Sequence, residues 1–156
     1  MENQNAIKNK IFAYCNKAER CHSEVRNKLF VWKIPVQMHD EILAELITEN
    51  LLNEQRYALA YAHDHLVFRK WGREKIRQGL MRKNVSSTLI SLALSSIEDE
   101  IEKYNLKTCA DQKWRRLKDD SILKKRMKLT RYLYGKGFEM DEIQEVVNEI
   151  LRNERA

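Results

Sequence analysis

The chain has 156 residues, 33% of them charged, with a formal net charge of +6, one Pro and four Gly. Such a composition, rich in Leu, Lys, Glu and Arg, points to helices nearly throughout, and 43% hydrophobic residues suffice for a modest core. No run approaches the ~18 consecutive apolar residues of a membrane span. Three cysteines, odd in number and widely spread, exclude a disulfide framework. The N-terminus lacks a signal peptide's apolar run, so the expected compartment is the reducing cytoplasm.

In chain order, Ile7, Ile11, Cys15 and Ala18 recur at helical spacing and predict an amphipathic helix over 3–18. Ser23 is the expected cap of a second helix reaching about Lys33, where Pro35 makes helical geometry at Ile34 unfavourable and turns the chain. A third helix, from His39 to Asn50, supplies Ile42, Leu43 and Leu46. Asn53 should cap a long fourth helix to about Lys70, with Tyr57, Ala60 and Tyr61 inward and Gly72 as its break.

In the next helix Ile76 and Leu80 share one face, while Arg73, Lys75, Arg77, Arg82 and Lys83 are expected to remain in water. Asn84 tolerates the left-handed conformation that ends helices, Val85 plugs the corner, and Ser86 or Ser87 caps the apolar helix that follows. Beyond the acidic stretch of Glu98, Asp99, Glu100 and Glu102, a further helix is expected to start near Leu106. Helices over 121–136 and 140–152, separated by Gly137, complete the chain.

The spacing of that central pair recurs. Val25, Leu29 and Ile34 lie 51 residues before Ile76, Leu80 and Val85, and Leu129, Leu133 and Phe138 lie 53 after them. The register extends into the following helices: Ile42, Leu43 and Leu46 match Ala93, Leu94 and Ile97, which match Val146, Val147 and Ile150. Six apolar positions in register three times define a tandem helical repeat. The fold expected is all-α: three three-helix repeats, over 1–50, 53–103 and 106–153, stacked into an elongated, curved array.

Charge follows the repeat. Residues 69–85 hold seven Lys or Arg against Glu74 alone, and residues 105–137 hold eleven against three Asp, whereas the flanking segments are near neutral or acidic. A row of positive helices suits an acidic partner, whether a nucleic-acid backbone or a protein filament carrying one; the plainer reading is a solvated helix face.

Other chemistry finds less support. Cys15, Cys21 and His22, or His63 and His65, do not follow a recognised zinc spacing, and residues two apart on a helix point in different directions. Trp71 and Trp114 lie among basic residues and could stack on bases, but at such hinge positions packing is the commoner role. No nucleophile–base constellation or phosphate-binding Gly loop is present, so no catalytic residue, metal or cofactor is expected.

Leu51, Leu52, Asn53 and Glu54, followed by Arg56, Tyr57, Ala58, Ala60 and Tyr61 and then by Gly72, Ile76, Arg77, Leu80, Lys83 and Val85, closely resemble the RecX family of recombinase regulators. His22, Ser23 and Glu24 before Val25, Arg26, Lys28 and Leu29 are similar to that family's first repeat. Arg131, Leu133, Gly137, Phe138, Ile143 and Val146 are similar to its third. Three features depart from the family pattern: Asn84 where Gly is usual, Gly79 where Glu is common, and the Pro35 corner. The Gly79 departure is expected to weaken its helix by roughly 1 kcal/mol relative to Ala.

The resemblance implies a small non-enzymatic protein that binds the RecA filament on single-stranded DNA and usually restrains it, lowering ATP hydrolysis, strand exchange and co-protease activity. The repeat predicts a monomeric or weakly associating chain, and double-stranded DNA is a further expected ligand. The alternative is a basic helical-repeat protein that binds DNA without a recombinase. The electrostatic contacts are assigned to Arg69, Lys70, Arg73, Lys75, Arg77, Arg82 and Lys83, with Lys113, Arg115, Arg116, Lys124, Lys125, Arg126 and Arg131 as a second patch.

Overall fold

The computed structural model describes residues 3–118 and 121–155. Among these it contains nine α-helices and no strand: α1 (Gln4–Lys17), α2 (His22–Val31), α3 (His39–Thr48), α4 (Glu54–Phe68), α5 (Arg73–Arg82), α6 (Ser87–Ser95), α7 (Asp99–Arg116), α8 (Ile122–Gly135) and α9 (Met140–Arg155). A 3₁₀ turn over Val36–Met38 leads from Pro35 into α3.

The recurring apolar spacing is a recurring helix end. After α2, Lys33 takes φ 61° and the Ile34 N–H donates back to the Leu29 carbonyl at 3.0 Å. Asn84 (φ 59°) does the same after α5, with Val85 N–H to Leu80 at 3.2 Å, and Gly137 (φ 98°) after α8, with Phe138 N–H to Leu133 at 3.4 Å. One left-handed residue thus folds the chain back so that an apolar successor covers the helix's last turn. All six of these apolar side chains are buried. Burying each is worth roughly 1.5–3 kcal/mol, which exceeds the roughly 1–2 kcal/mol of holding a non-glycine residue left-handed. Hence Lys33 and Asn84 serve where glycine would be the cheapest choice.

Helix starts follow side-chain chemistry. The side chains of Asn53, Ser86 and Ser121 accept from the backbone N–H of Arg56 (2.9 Å), Leu89 (3.3 Å) and Lys124 (3.3 Å), satisfying donors that an α-helix leaves open. Ser23 does not cap α2. The Glu24 carboxylate instead accepts from the Cys21 N–H at 3.1 Å, and the Ser23 hydroxyl donates to the Lys83 carbonyl at 2.7 Å.

The helix expected to begin near Leu106 begins at Asp99, and the acidic stretch is its first turn. No Gly or Pro interrupts 98–116, and carboxylates at a helix N-terminus are favoured by the exposed N–H dipoles. The inner face of α4 is also shifted: Tyr57, Ala58, Ala62 and Leu66 are buried, whereas Ala60 is only half-buried.

Three cores result. One gathers Ile7 and Ile11 of α1 with Leu29, Leu43 and Leu46; the second gathers Leu66, Ile76, Leu80 and Ile90; the third gathers Leu106, Leu129, Leu133, Phe138 and Ile143. They follow one another in chain order as tandem helical repeats in an elongated array. The accessible surface, 10353 Å², exceeds the roughly 8300 Å² of a compact monomer of this mass.

The joints between units repeat as well. At the first, the His22 N–H at the start of α2 donates to the Glu54 carboxylate at 2.8 Å, and Ser23 bonds to the corner after α5. At the second, the Arg73 N–H at the start of α5 donates to Glu102 at 3.2 Å. The N–H groups of Gly72 and Glu74 donate to Lys136 and Gly137 at 2.8 and 3.1 Å, in the corner after α8. Exposed N-terminal donors of the corner helices α2 and α5 are therefore satisfied by the unit that follows, whereas α8 of the third unit is capped by its own Ser121.

Candidate partner-binding surface

The second joint collects positive charge. Arg69 caps the C-terminus of α4, and Lys70 after it is left-handed, with φ 54°. The chain then brings Trp71 against the second core, with the Lys75 ammonium 4.5 Å and the Arg69 guanidinium 5.9 Å from its ring centre. Behind Trp71 lie His65, 4.4 Å from it between ring centres, and Tyr61, stacked on His65 at 3.9 Å. The charges of Lys83, Arg82 and Arg69 bear on Tyr61, although burial dominates and pushes its hydroxyl pKa up.

Across the joint, Lys136 Nζ donates to the Arg69 carbonyl at 2.9 Å, and Lys136 and Lys113 lie 5.8 and 4.7 Å from the Tyr132 ring centre. Lys70 and Lys136 both act on Cys109, and Arg116 on Tyr132. Arg69, Lys70, Lys75, Lys113, Arg116 and Lys136 thus form one strip across two units, floored by Trp71 and Tyr132. Lys136 was absent from the residues expected at the site. Its position in the basic stretch was visible, but its reach to Arg69 depends on the joint.

Other residues of the expected patches are placed differently. Arg73 does not remain in water: its guanidinium meets Asp99 at 2.8 Å, Glu102 at 3.4 Å and the Ile97 carbonyl at 2.7 Å, holding α5 to α7. Lys83 is half-buried and faces Glu24 at 3.4 Å across the first joint. Arg77 is exposed and pairs with Glu74 on its own helix at 3.3 Å, and Arg82 is exposed.

The second patch is divided. Lys125 lies 4.0 Å from the ring centre of the buried Trp114, on the α7 side of α8. Arg126 turns to α9, donating to Gln144 at 3.0 Å and Asn148 at 2.9 Å. Arg131 lines the α8–α9 groove, and Lys124 and Arg115 are exposed.

Trp114 is buried in the third core and the half-buried Trp71 packs against the second, so both have a packing role. Cys15, Cys21 and Cys109 are buried free thiols whose pKa values burial raises, which disfavours the thiolate. Among the described residues, no three His, Cys, Asp or Glu come together as a metal site, and no helix is long and apolar enough to cross a membrane.

Comparison with known proteins agrees with the repeat architecture. Residues 53–94 match the family model described as the second three-helix domain of RecX, and residues 102–147 the model of its third three-helix domain. The regulatory protein RecX of Clostridium perfringens (strain SM101 / Type A) is 32% identical over 149 residues, which cover 94% of this chain and 69% of that protein. That of Clostridioides difficile (strain 630) is 25% identical over 144 residues, covering 92% and 68%. The crystal structure of RecX from Lactobacillus salivarius is similar at TM-score 0.78 and 27% identity, over 91% of this chain and 92% of that one. With two of its three-helix units matched and its architecture shared, the chain belongs to the RecX family of regulatory proteins.

Proposed function

We propose that this protein binds the filament formed by the RecA recombinase on single-stranded DNA and restrains it, lowering ATP hydrolysis, strand exchange and co-protease activity. The observation that carries the reading is the basic strip crossing the second joint, where Lys136 of one unit bonds to Arg69 of the other. A rod of repeated units presents such a strip to successive subunits of a filament, and each contact raises the effective concentration of the next. Arg69, Lys70, Lys75, Lys113, Arg116 and Lys136 meet DNA phosphates or acidic side chains of the recombinase. Arg73 acts inside the protein, holding α5 to α7 and so keeping the strip's two halves in register, while Lys83 acts at the first joint.

A second reading, DNA binding without a recombinase, draws on the half-buried Trp71 among cations, an arrangement suited to unpaired bases. The two are separated by measuring affinity for bare and for recombinase-coated single strands across a salt series. Filament regulation predicts that the coated strand binds at least about ten-fold tighter, and that Lys75→Glu with Lys113→Glu removes most of that difference. Equal affinity for the two strands, with a salt slope that flattens by about one unit per cation reversed, identifies phosphate binding alone and overturns the recombinase reading.

A further inference from the structure

Helix α8 carries two apolar stripes, and the fold uses only one. Leu129 and Leu133 face the third core and are fully buried. On another face Leu123, Met127 and Tyr134 follow at helical spacing, yet are 67%, 56% and 62% exposed. With Met140 they line a groove between α8 and α9.

The repeat makes this stripe unusual. Shifted back by 53 residues, Leu123 and Met127 fall on Lys70 and Glu74 of the middle unit, where the chain is charged. At Leu123 and Met127 the third unit therefore carries apolar side chains in water that the middle unit does without, while Tyr134 falls on Met81, itself exposed in the corresponding groove.

The polar lining is Arg126, Thr130, Arg131 and Gln144, with no carboxylate among the groove residues. Arg126 is held by the neutral amides of Gln144 and Asn148, which orient its charge without neutralising it. Tyr134 is the one aromatic of the groove, and a single ring makes no run of stacking platforms; Leu123, Met127 and Met140 cannot stack on bases, but they readily repack around a protein's apolar side chains. An apolar floor with an uncompensated cationic rim is complementary to an amphipathic helix bearing acidic residues beside its apolar anchors.

We infer that the α8–α9 groove docks an acidic amphipathic segment of the recombinase itself, a protein contact separate from the basic strip. This rests on the filament-regulation reading. The groove gives the protein a hold on recombinase subunits that requires no DNA, while the strip responds to the nucleoprotein as a whole.

The test uses the full chain and two exposed-site variants, Leu123→Ser with Met127→Ser and Arg131→Gln, with folding checked by helicity and thermal melting. Each is titrated against recombinase without DNA, recombinase-coated single strands, and bare single strands. The double variant should lose about ten-fold or more in affinity for DNA-free recombinase, the scale of a lost apolar anchor, with binding to bare strands unchanged. Arg131→Gln should weaken the same interaction and flatten its salt dependence. Undiminished binding of the folded double variant to DNA-free recombinase overturns the groove while leaving the function standing. A loss confined to bare DNA assigns the groove to nucleic acid and overturns it too. If the unaltered chain binds recombinase in neither form, the function and the groove's occupant fall together.

Discussion

Gly72 and Gly137 meet across the second joint with no room for a side chain between them. A Cβ on Gly72 would overlap the Gly137 carbonyl and lie 2.6 Å from the Phe138 nitrogen, and a Cβ on Gly137 would overlap Lys75. The close approach lets the Gly72 N–H reach the Lys136 carbonyl at 2.8 Å, and so aligns the two halves of the basic strip. Gly72→Ala is therefore expected to destabilise the protein by about 1–3 kcal/mol, the usual cost of overpacking against backbone. Urea denaturation should show the loss, and binding to the coated strand should weaken more than the fall in folded fraction explains.

Gly79 offers a test in which two effects oppose each other. By helix propensity alone Gly79→Ala would stabilise α5 by roughly 1 kcal/mol. The structure reverses the sign, because the Tyr61 hydroxyl occupies the space a Cβ would take, and Tyr61 is held by its stack on His65. Gly79→Ala should destabilise the unaltered protein and become neutral or stabilising when combined with Tyr61→Leu, a coupling that a double-mutant cycle measures directly.

Arg73 and Arg77, four residues apart on one helix, should respond very differently to charge reversal. Arg73→Glu removes the cation facing Glu102, whose side chain is 5% exposed, and adds a third carboxylate beside it and Asp99. The loss should lie near the lower end of the ~3–5 kcal/mol seen when a buried pair is broken, since Arg73 is itself partly exposed. Arg77→Glu, at an exposed site with only a helical neighbour as partner, should change stability by no more than about 0.5 kcal/mol. Thermal melts of the two variants check this, and similar values for both would contradict the internal role of Arg73.

Glu142 supplies a pH prediction. Burial raises its pKa above 4.5, Glu139 adds to the shift, and one of its carboxylate oxygens is buried without a hydrogen-bond partner. A carboxyl whose pKa rises on folding binds its proton more tightly in the folded state. Its stabilising contribution is present below the unfolded pKa and is lost as pH rises through the folded one. At pH 7 the charged Glu142 is thus a burden that Glu142→Gln removes. The variant should melt higher at pH 7, and the advantage should vanish at about pH 4, where both side chains are neutral.

The sequence by itself determined the corners and what they bury. Leu29 with Ile34, Leu80 with Val85, and Leu133 with Phe138 could be read from spacing because a helix end of this kind is local: one left-handed residue and two apolar neighbours within six positions specify it. The cap at Asn53, and one at Ser86 or Ser87, were legible for the same reason, as was the coincidence of basic charge with the repeat. Where local rules allowed more than one outcome, reading the chain alone fell short. The acidic stretch could precede a helix or open it, and Ser23 could cap α2 or reach across to Lys83.

Only the tertiary structure decided which cations face outward. Arg73 and Arg77 are alike in sequence, yet a carboxylate 29 residues further along, Glu102, draws one inward and leaves the other in solvent. Lys136 joins the strip because two glycines 65 positions apart can touch. Charge and apolar pattern along a helix state what each side chain prefers. Whether that preference is met by water or by another part of the chain depends on contacts far apart in sequence, and these exist only once the units have stacked.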